Sequence, residues 1–125
     1  MTDTLGRRLA RAIADKDEAG LRALLADDVD FKALTPGRSW EGKGPDDVVD
    51  AVFGHWFEPT DRVVAVPDVS DGETVSDTAR VSYRFDLENP DGAHVVEQQA
   101  YYRPADAGAE RIDYLRVLCS GYRPR

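Results

Sequence analysis

Apolar residues recur every four positions at the start of the chain. Leu5, Leu9 and Ile13 form a stripe that Ala12 widens, which predicts an amphipathic helix. Thr2 or Asp3 is placed to cap it, and Asp15-Lys16-Asp17 breaks it. Asp17 then caps a second short helix whose apolar face is Leu21, Leu24 and Leu25. From Asp28 the period becomes two: Val29, Phe31 and Ala33 share one side of a strand, with Asp30 and Lys32 opposite. Thr35-Pro36-Gly37 ends it as a turn. Gly44-Pro45 opens a third helix, with Pro at its first position and Asp46 and Asp47 at its positive dipole end. Val48, Val49, Val52, Phe53 and Trp56 face its core, and Pro59 stops it.

The remainder reads as strands. Residues 62–70 are rich in Val, and Pro67 marks an edge or a bulge. Asp71-Gly72 predicts a tight turn into residues 74–87, where Val75, Ala79, Val81, Tyr83, Phe85 and Leu87 alternate with polar neighbours. Asn89-Pro90-Asp91-Gly92 is a turn cluster before the strand 93–103, and a loop over 104–109 leads to the last strand, 110–120. Three helices ahead of a run of long strands predict an α+β fold: a cone-shaped half-barrel, three N-terminal helices packed on a strongly curved antiparallel sheet. The concave side of such a sheet is a pocket.

Composition narrows the function classes. The 125 residues fit one domain, 1–125, large enough to fold without a disulfide or metal. One cysteine, Cys119, and the absence of a signal-peptide pattern predict a cytoplasmic protein. Asp and Glu outnumber Lys and Arg by 24 to 16, so the net charge of −8 repels phosphate backbones and anionic lipid. Nucleic acid and membranes are therefore not expected partners. His55 and His94 lack spaced Cys, Asp or Glu partners, so no metal and no cofactor are expected.

The order of elements resembles the nuclear-transport-factor-2-like superfamily, and its SnoaL-like branch in particular. Three segments carry the resemblance: Leu24-Leu25-Ala26-Asp27-Asp28-Val29, Trp40-Glu41-Gly42 before the third helix, and Arg111-Ile112 with Leu115-Arg116 in the last strand. The resemblance implies a cone with an internal pocket, and a homodimer through the outer sheet face. It embraces ketosteroid isomerases, polyketide cyclases, dehydratases and proteins without chemistry. Isomerases of this kind use a carboxylate base whose position falls here at Ala33, a tyrosine that falls near Leu9 or Ala10, and an acid that falls at Gln99. None of these groups is kept, which argues against that mechanism. The cyclase pattern puts an acid on the last strand, where Asp113 stands, and a histidine where Gln99 stands.

Asp113 shares strand parity with Leu115, Val117 and Cys119, so it is the expected catalytic acid or base of a cyclase, dehydratase-type lyase or isomerase. The opposing reading is an Asp ion-paired to Arg111 or Arg103. Tyr83, Gln99, Leu115, Val117, Cys119, Trp40 and His55 are the expected ligand-binding residues. Gln98 competes with Gln99: a tight turn at 89–92 favours Gln98 inward, while the resemblance favours Gln99. Apolar residues on both faces of the last two strands, Val95 and Tyr101 against Val96 and Tyr102, Ile112 and Leu118 against Leu115 and Val117, predict the homodimer independently. The chain thus reads as a pocket protein for a small, largely apolar molecule, catalytic or not, or as a dimeric scaffold with a filled cone.

Overall fold

The computed structural model describes residues 4–105 and 110–125. Helix α1 (Leu5–Ala14) begins at Thr4, whose hydroxyl accepts from the Arg7 N–H; Thr2 and Asp3, the caps expected from the sequence, lie outside the described residues. Helix α2 (Glu18–Ala23) is capped by Asp17, which accepts from Gly20 N. Both helices bury one stripe, Leu9, Ala10 and Ile13 from the first and Leu21 from the second.

Strand β1 (Leu25–Thr35) turns at Pro36-Gly37 into β2 (Arg38–Lys43). Gly37 occupies the left-handed region at φ 75°, which is why the turn carries glycine there. Helix α3 (Pro45–Ala51) starts on Pro45 and presents Val48, Val49 and Ala51 to the core. Its last turn, Val52–Trp56, widens to π geometry, closed by the Phe57 N–H donating to the Val52 carbonyl five residues back.

Four long strands follow: β3 (Arg62–Asp71), β4 (Ala79–Asn89), β5 (Gly92–Pro104) and β6 (Ile112–Cys119). A two-residue β7 (Arg123–Pro124) pairs with the start of β5. The sheet order is β2-β1-β6-β5-β4-β3, and β2 and β3 remain open edges, so the curved sheet does not close into a barrel. The α+β cone expected from the sequence is thus the fold, with one correction: β1 runs parallel to β6, and the other pairings are antiparallel. Pro67 lies within the second of two register shifts on edge strand β3, as its missing N–H requires.

Two expected boundaries move. Strand β4 begins at Ala79, and the turn lies at 76–77, where an isolated bridge joins Val75 to Thr78 and Ser76 takes φ 58°. Val75, predicted to face the core, is 74% exposed. The loop expected at 104–109 lies largely outside the described residues.

The register at the β4–β5 turn sets every inward side chain. Asn89 pairs with Gly92, so Tyr83 pairs with Gln98 and Ser82 with Gln99. Val81, Tyr83, Phe85 and Leu87 face inward from β4, and Val96, Gln98, Ala100 and Tyr102 from β5. No helix of the described residues is long and apolar enough to cross a membrane.

Candidate functional site

The inner face of the curved sheet is filled by the protein's own side chains. Phe31, Tyr83, Phe85, Leu87 and Leu115 are each at most 2% exposed. The Tyr83 ring stacks on Phe85 at 5.0 Å, and Phe57 meets Phe85 edge-on at 5.8 Å. Above this packing lies a cavity of about 210 Å³. Thr35 and Val96 contribute to its wall, with Gln98 from β5, Cys119 from β6, His55 and Trp56 from the π turn, and Tyr122 near the C-terminus.

Each wall has a local cause. The extra residue of the π turn brings the His55–Phe57 stretch over the mouth. Trp40 from β2 props this turn from outside, 5.1 Å from the His55 ring and edge-on to Trp56 at 5.8 Å. The Trp40 indole N–H donates to Thr35 Oγ1 at 2.9 Å. His55 Nε2 lies 3.5 Å from Asp50 Oδ2, one π turn earlier. On the far side the Tyr122 hydroxyl lies against the Trp56 carbonyl and 2.8 Å from Asp61 Oδ2, its single proton serving one of these acceptors at a time. Asp61 is buried, yet its carboxylate also accepts from Glu58 N and Asn89 Nδ2, each at 3.0 Å. That network ties the loop after the π turn to the β4–β5 turn and to the chain's end.

At the base of the cavity the Tyr83 hydroxyl donates to Gln98 Oε1 at 2.6 Å. Burial, and secondarily the nearby Cys119, pushes the Tyr83 phenol well above its ordinary range, so it stays a protonated donor. With Oε1 so engaged, Gln98 Nε2 has no acceptor among the described residues, and neither does Trp56 Nε1.

The structure divides the expected site residues between this cavity and a larger cleft of about 350 Å³ whose lining includes Tyr83, Gln99 and Cys119. Gln98, 2% exposed, is the inward amide. Gln99 is a correction: it sits on the outer face, where its Oε1 accepts from the Tyr101 hydroxyl at 3.0 Å. A two-residue turn fixes this register, and one residue's shift exchanges the faces. His55 and Cys119 line the cavity, while Trp40 acts through His55 and Trp56. Tyr83 lies beneath it, and Leu115 and Val117 are core residues. Cys119 Sγ accepts from the Gly121 N–H at 3.3 Å.

Asp113 does not line this cavity. Pro104 pairs with Ile112 and Arg103 with Tyr114, so a bulge falls at Asp113 and breaks the parity that linked it to Leu115. Ile112 and Leu115 are both buried, three residues apart, and Asp113 is half-buried between them. Its expected ion-pair partners are engaged elsewhere: Arg111 with Asp27 at 3.8 Å, and Arg103 with Asp77 at 3.4 Å and Thr78. Among the described residues, no group of three His, Cys, Asp or Glu side chains is placed to hold a metal.

The chain shares its α+β cone fold with solved structures that include SnoaL-like and ketosteroid-isomerase-like proteins. A provisionally named isomerase of Bacillus subtilis superposes with a TM-score of 0.72 at 11% identity, over 93% of this chain and 86% of that one. A provisionally named SnoaL-like polyketide cyclase of Mesorhizobium loti gives 0.64 at 15%, over 90% and 94%. A ketosteroid isomerase-like protein of Erwinia carotovora atroseptica gives 0.61 at 15%, over 92% and 90%. No family model matches the chain, and no curated protein sequence does.

Proposed function

We propose that this protein binds a small, largely apolar molecule in the mouth of its cone. The observation that carries this reading is the cavity of about 210 Å³ between the π turn and β5, where aromatic walls surround a few polar tips. The inner face of the sheet is filled by the protein's own side chains, which confines a ligand to the mouth. Several structures of the same fold bear isomerase and cyclase names, so proton transfer on the bound molecule is the activity to test. Within the cavity the side chain suited to it is His55, with Asp50 beside it to orient the imidazole. Asp113, the residue favoured by strand parity, is outside the lining.

Two measurements test this. Native mass spectrometry of the purified protein is expected to show a co-purified apolar molecule, or NMR to show ring fragments perturbing Trp56, Gln98 and Tyr122; failure of both measurements to show a bound molecule refutes the pocket reading. Turnover is read as protein-catalysed exchange of the hydrogens next to the cyclohexanone carbonyl in D2O. His55→Gln is expected to abolish exchange while binding remains, and Asp113→Asn to preserve it. The opposite pattern returns the role to Asp113.

The outer face favours a second, compatible reading, the homodimer. Leu34 and Leu118 are 57% and 52% exposed, and with Tyr101 they line a mainly apolar groove of about 420 Å³. Two residues expected on that face are not part of it: Ile112 is buried by the bulge, and Val95 is covered where Arg123 pairs with it. Light scattering at micromolar concentration is expected to give twice the chain mass, and Leu118→Asp the single mass. A wild-type monomer refutes this assembly.

A further inference from the structure

We propose that the segment 120–125 is a releasable clasp on the π turn, and that its detachment opens the groove down to the buried side chains of Trp56 and Gln98. The gating role rests on the reading of the groove as a ligand site; the opening itself does not. The segment leaves the sheet for two residues and then rejoins it. Cys119 pairs with Gln98, and Ser120 N still donates to Glu97 O. Arg123 then pairs with Val95 and Pro124 with His94, so Gly121 and Tyr122 together stand opposite Val96. Gly121 makes the bend. Its φ of 74° is in the left-handed region, and a Cβ there would lie 2.8 Å from Pro36 Cγ. The bulge turns Tyr122 toward the π turn, with its ring 6.4 Å from that of Phe57. Its hydroxyl lies against the Trp56 carbonyl, one of the end carbonyls that a helix leaves without an internal partner.

The hold beyond Tyr122 is slight. It consists of the two ladder pairs and of Arg125, which lies 3.3 Å from Asp86 and 3.8 Å from Glu88 and donates its N–H to Ala93 O. Residues 122–125 are exposed, and surface ion pairs add little. A segment with so few buried contacts opens at a free energy well below that of global unfolding. What it covers favours release. Trp56 and Gln98 belong to the groove beside the clasp, yet Trp56 Nε1 and Gln98 Nε2 each expose less than 1 Å² and have no partner among the described residues. A donor withdrawn from water and left unpaired is costly, and water admitted as the clasp lifts removes that cost. The closed form is therefore held by Tyr122 and opposed by the two donors behind it, which is the balance a gate needs.

The test locks the clasp. His94 and Pro124 are directly opposed, a spacing that a disulfide spans, so His94→Cys combined with Pro124→Cys is locked when oxidised and free when reduced. Wild type carried through the same treatment reports any effect of Cys119. Hydrogen exchange is followed on the full chain labelled with nitrogen-15. In the free forms the Trp56 indole N–H and the Arg125 amide are expected to exchange at least about tenfold faster than the amides of Leu9 and Ile13 in the core of α1, after correction for intrinsic rates. Oxidation of the double variant is expected to close that gap. No gap in the free forms, or the same gap in the locked one, overturns the inference. If the variant fails to fold, the wild-type gap still decides. Benzene, a ring without polar groups, tests the gate. It is expected to shift the Trp56 indole and Gln98 side-chain NH2 resonances in the reduced variant and to leave them in place in the oxidised one. Equal shifts in both overturn the gate and leave the pocket standing. No shift in either refutes the pocket reading and the gate with it, while the exchange gap still decides the opening.

Discussion

Replacing Tyr83 by Phe removes one oxygen from the centre of the protein and keeps the ring on Phe85. The lost hydroxyl donates to Gln98 Oε1 at 2.6 Å, and both side chains are 2% exposed. Tyr83→Phe therefore strands a carbonyl oxygen away from water, at a cost of about 1–3 kcal/mol. Gln98→Met strands the tyrosine hydroxyl instead, but it also removes the unpaired Nε2, so its cost is expected to be the smaller of the two. The double variant strands neither group and leaves two apolar side chains of similar shape, a change that is close to neutral in such cases. The double variant is thus expected to be more stable than the sum of the singles by about 1–3 kcal/mol. Urea unfolding at neutral pH, followed by circular dichroism and tryptophan fluorescence, gives all four free energies, and equal m-values license the comparison. Additivity within about 0.5 kcal/mol, or a Tyr83→Phe variant as stable as the wild type, refutes the pairing on which the amide's orientation rests.

Gly6→Ala is expected to destabilise despite the better helix propensity of alanine, worth about 1 kcal/mol at most. A Cβ there would stand 2.7 Å from Val81 Cβ and 2.8 Å from the Tyr102 hydroxyl oxygen, and such overpacking costs about 1–3 kcal/mol; a more stable variant in urea refutes it. Asp17→Ala is expected to cost about 1 kcal/mol by losing the cap on Gly20 N, and an unchanged midpoint refutes that. Alkaline pH is expected to destabilise the fold through Tyr83 and Tyr122. Both phenols are raised from 10.0, by burial first, and Tyr122 further by its hydrogen bond to Asp61. A raised phenol holds its proton more tightly folded than unfolded, so this contribution is constant below about pH 10 and is lost as pH rises beyond. Absorbance at 295 nm is expected to show Tyr83 and Tyr122 ionising only on unfolding, and their free titration in the folded protein would refute it.

Where a segment buries one face, the sequence is enough to find it. The four-residue stripe of α1 and the alternation from Val81 to Leu87 both correspond to buried faces. Strand β2 escaped notice because it is an edge whose pattern hardly alternates: only Trp40 and Gly42 are half-buried in Arg38–Lys43. The π turn escaped for a different reason. Val48, Val52 and Trp56 keep a four-residue spacing whether or not the backbone takes in an extra residue, so periodicity cannot show the widening that carries His55 to the mouth. In residues 74–78 the chain alternates like a strand but turns back on itself, and Val75 is left outside.

The candidate site hinged on two registers, and only one was open to sequence reasoning. The Asn89-Pro90-Asp91-Gly92 cluster makes a two-residue turn with Asn89 opposite Gly92. Counting back from that pair places Gln98 beside Tyr83, so turn chemistry was a sounder guide than alignment to a distant pattern. The strand face expected for Asp113 went astray for the converse reason. Its placement was counted down β6 from Leu115 as if the ladder were regular, but Pro104, opposite Ile112, has no N–H to give. The strand slips there, Ile112 turns inward, and the parity carried from Leu115 ends one residue short of Asp113. A proline facing the start of the last strand was the visible sign that counting across that point was unsafe. The proposed ligand site accordingly lies at the helix end and not on β6, with His55 and Trp56 carried there by the single extra residue of the π turn.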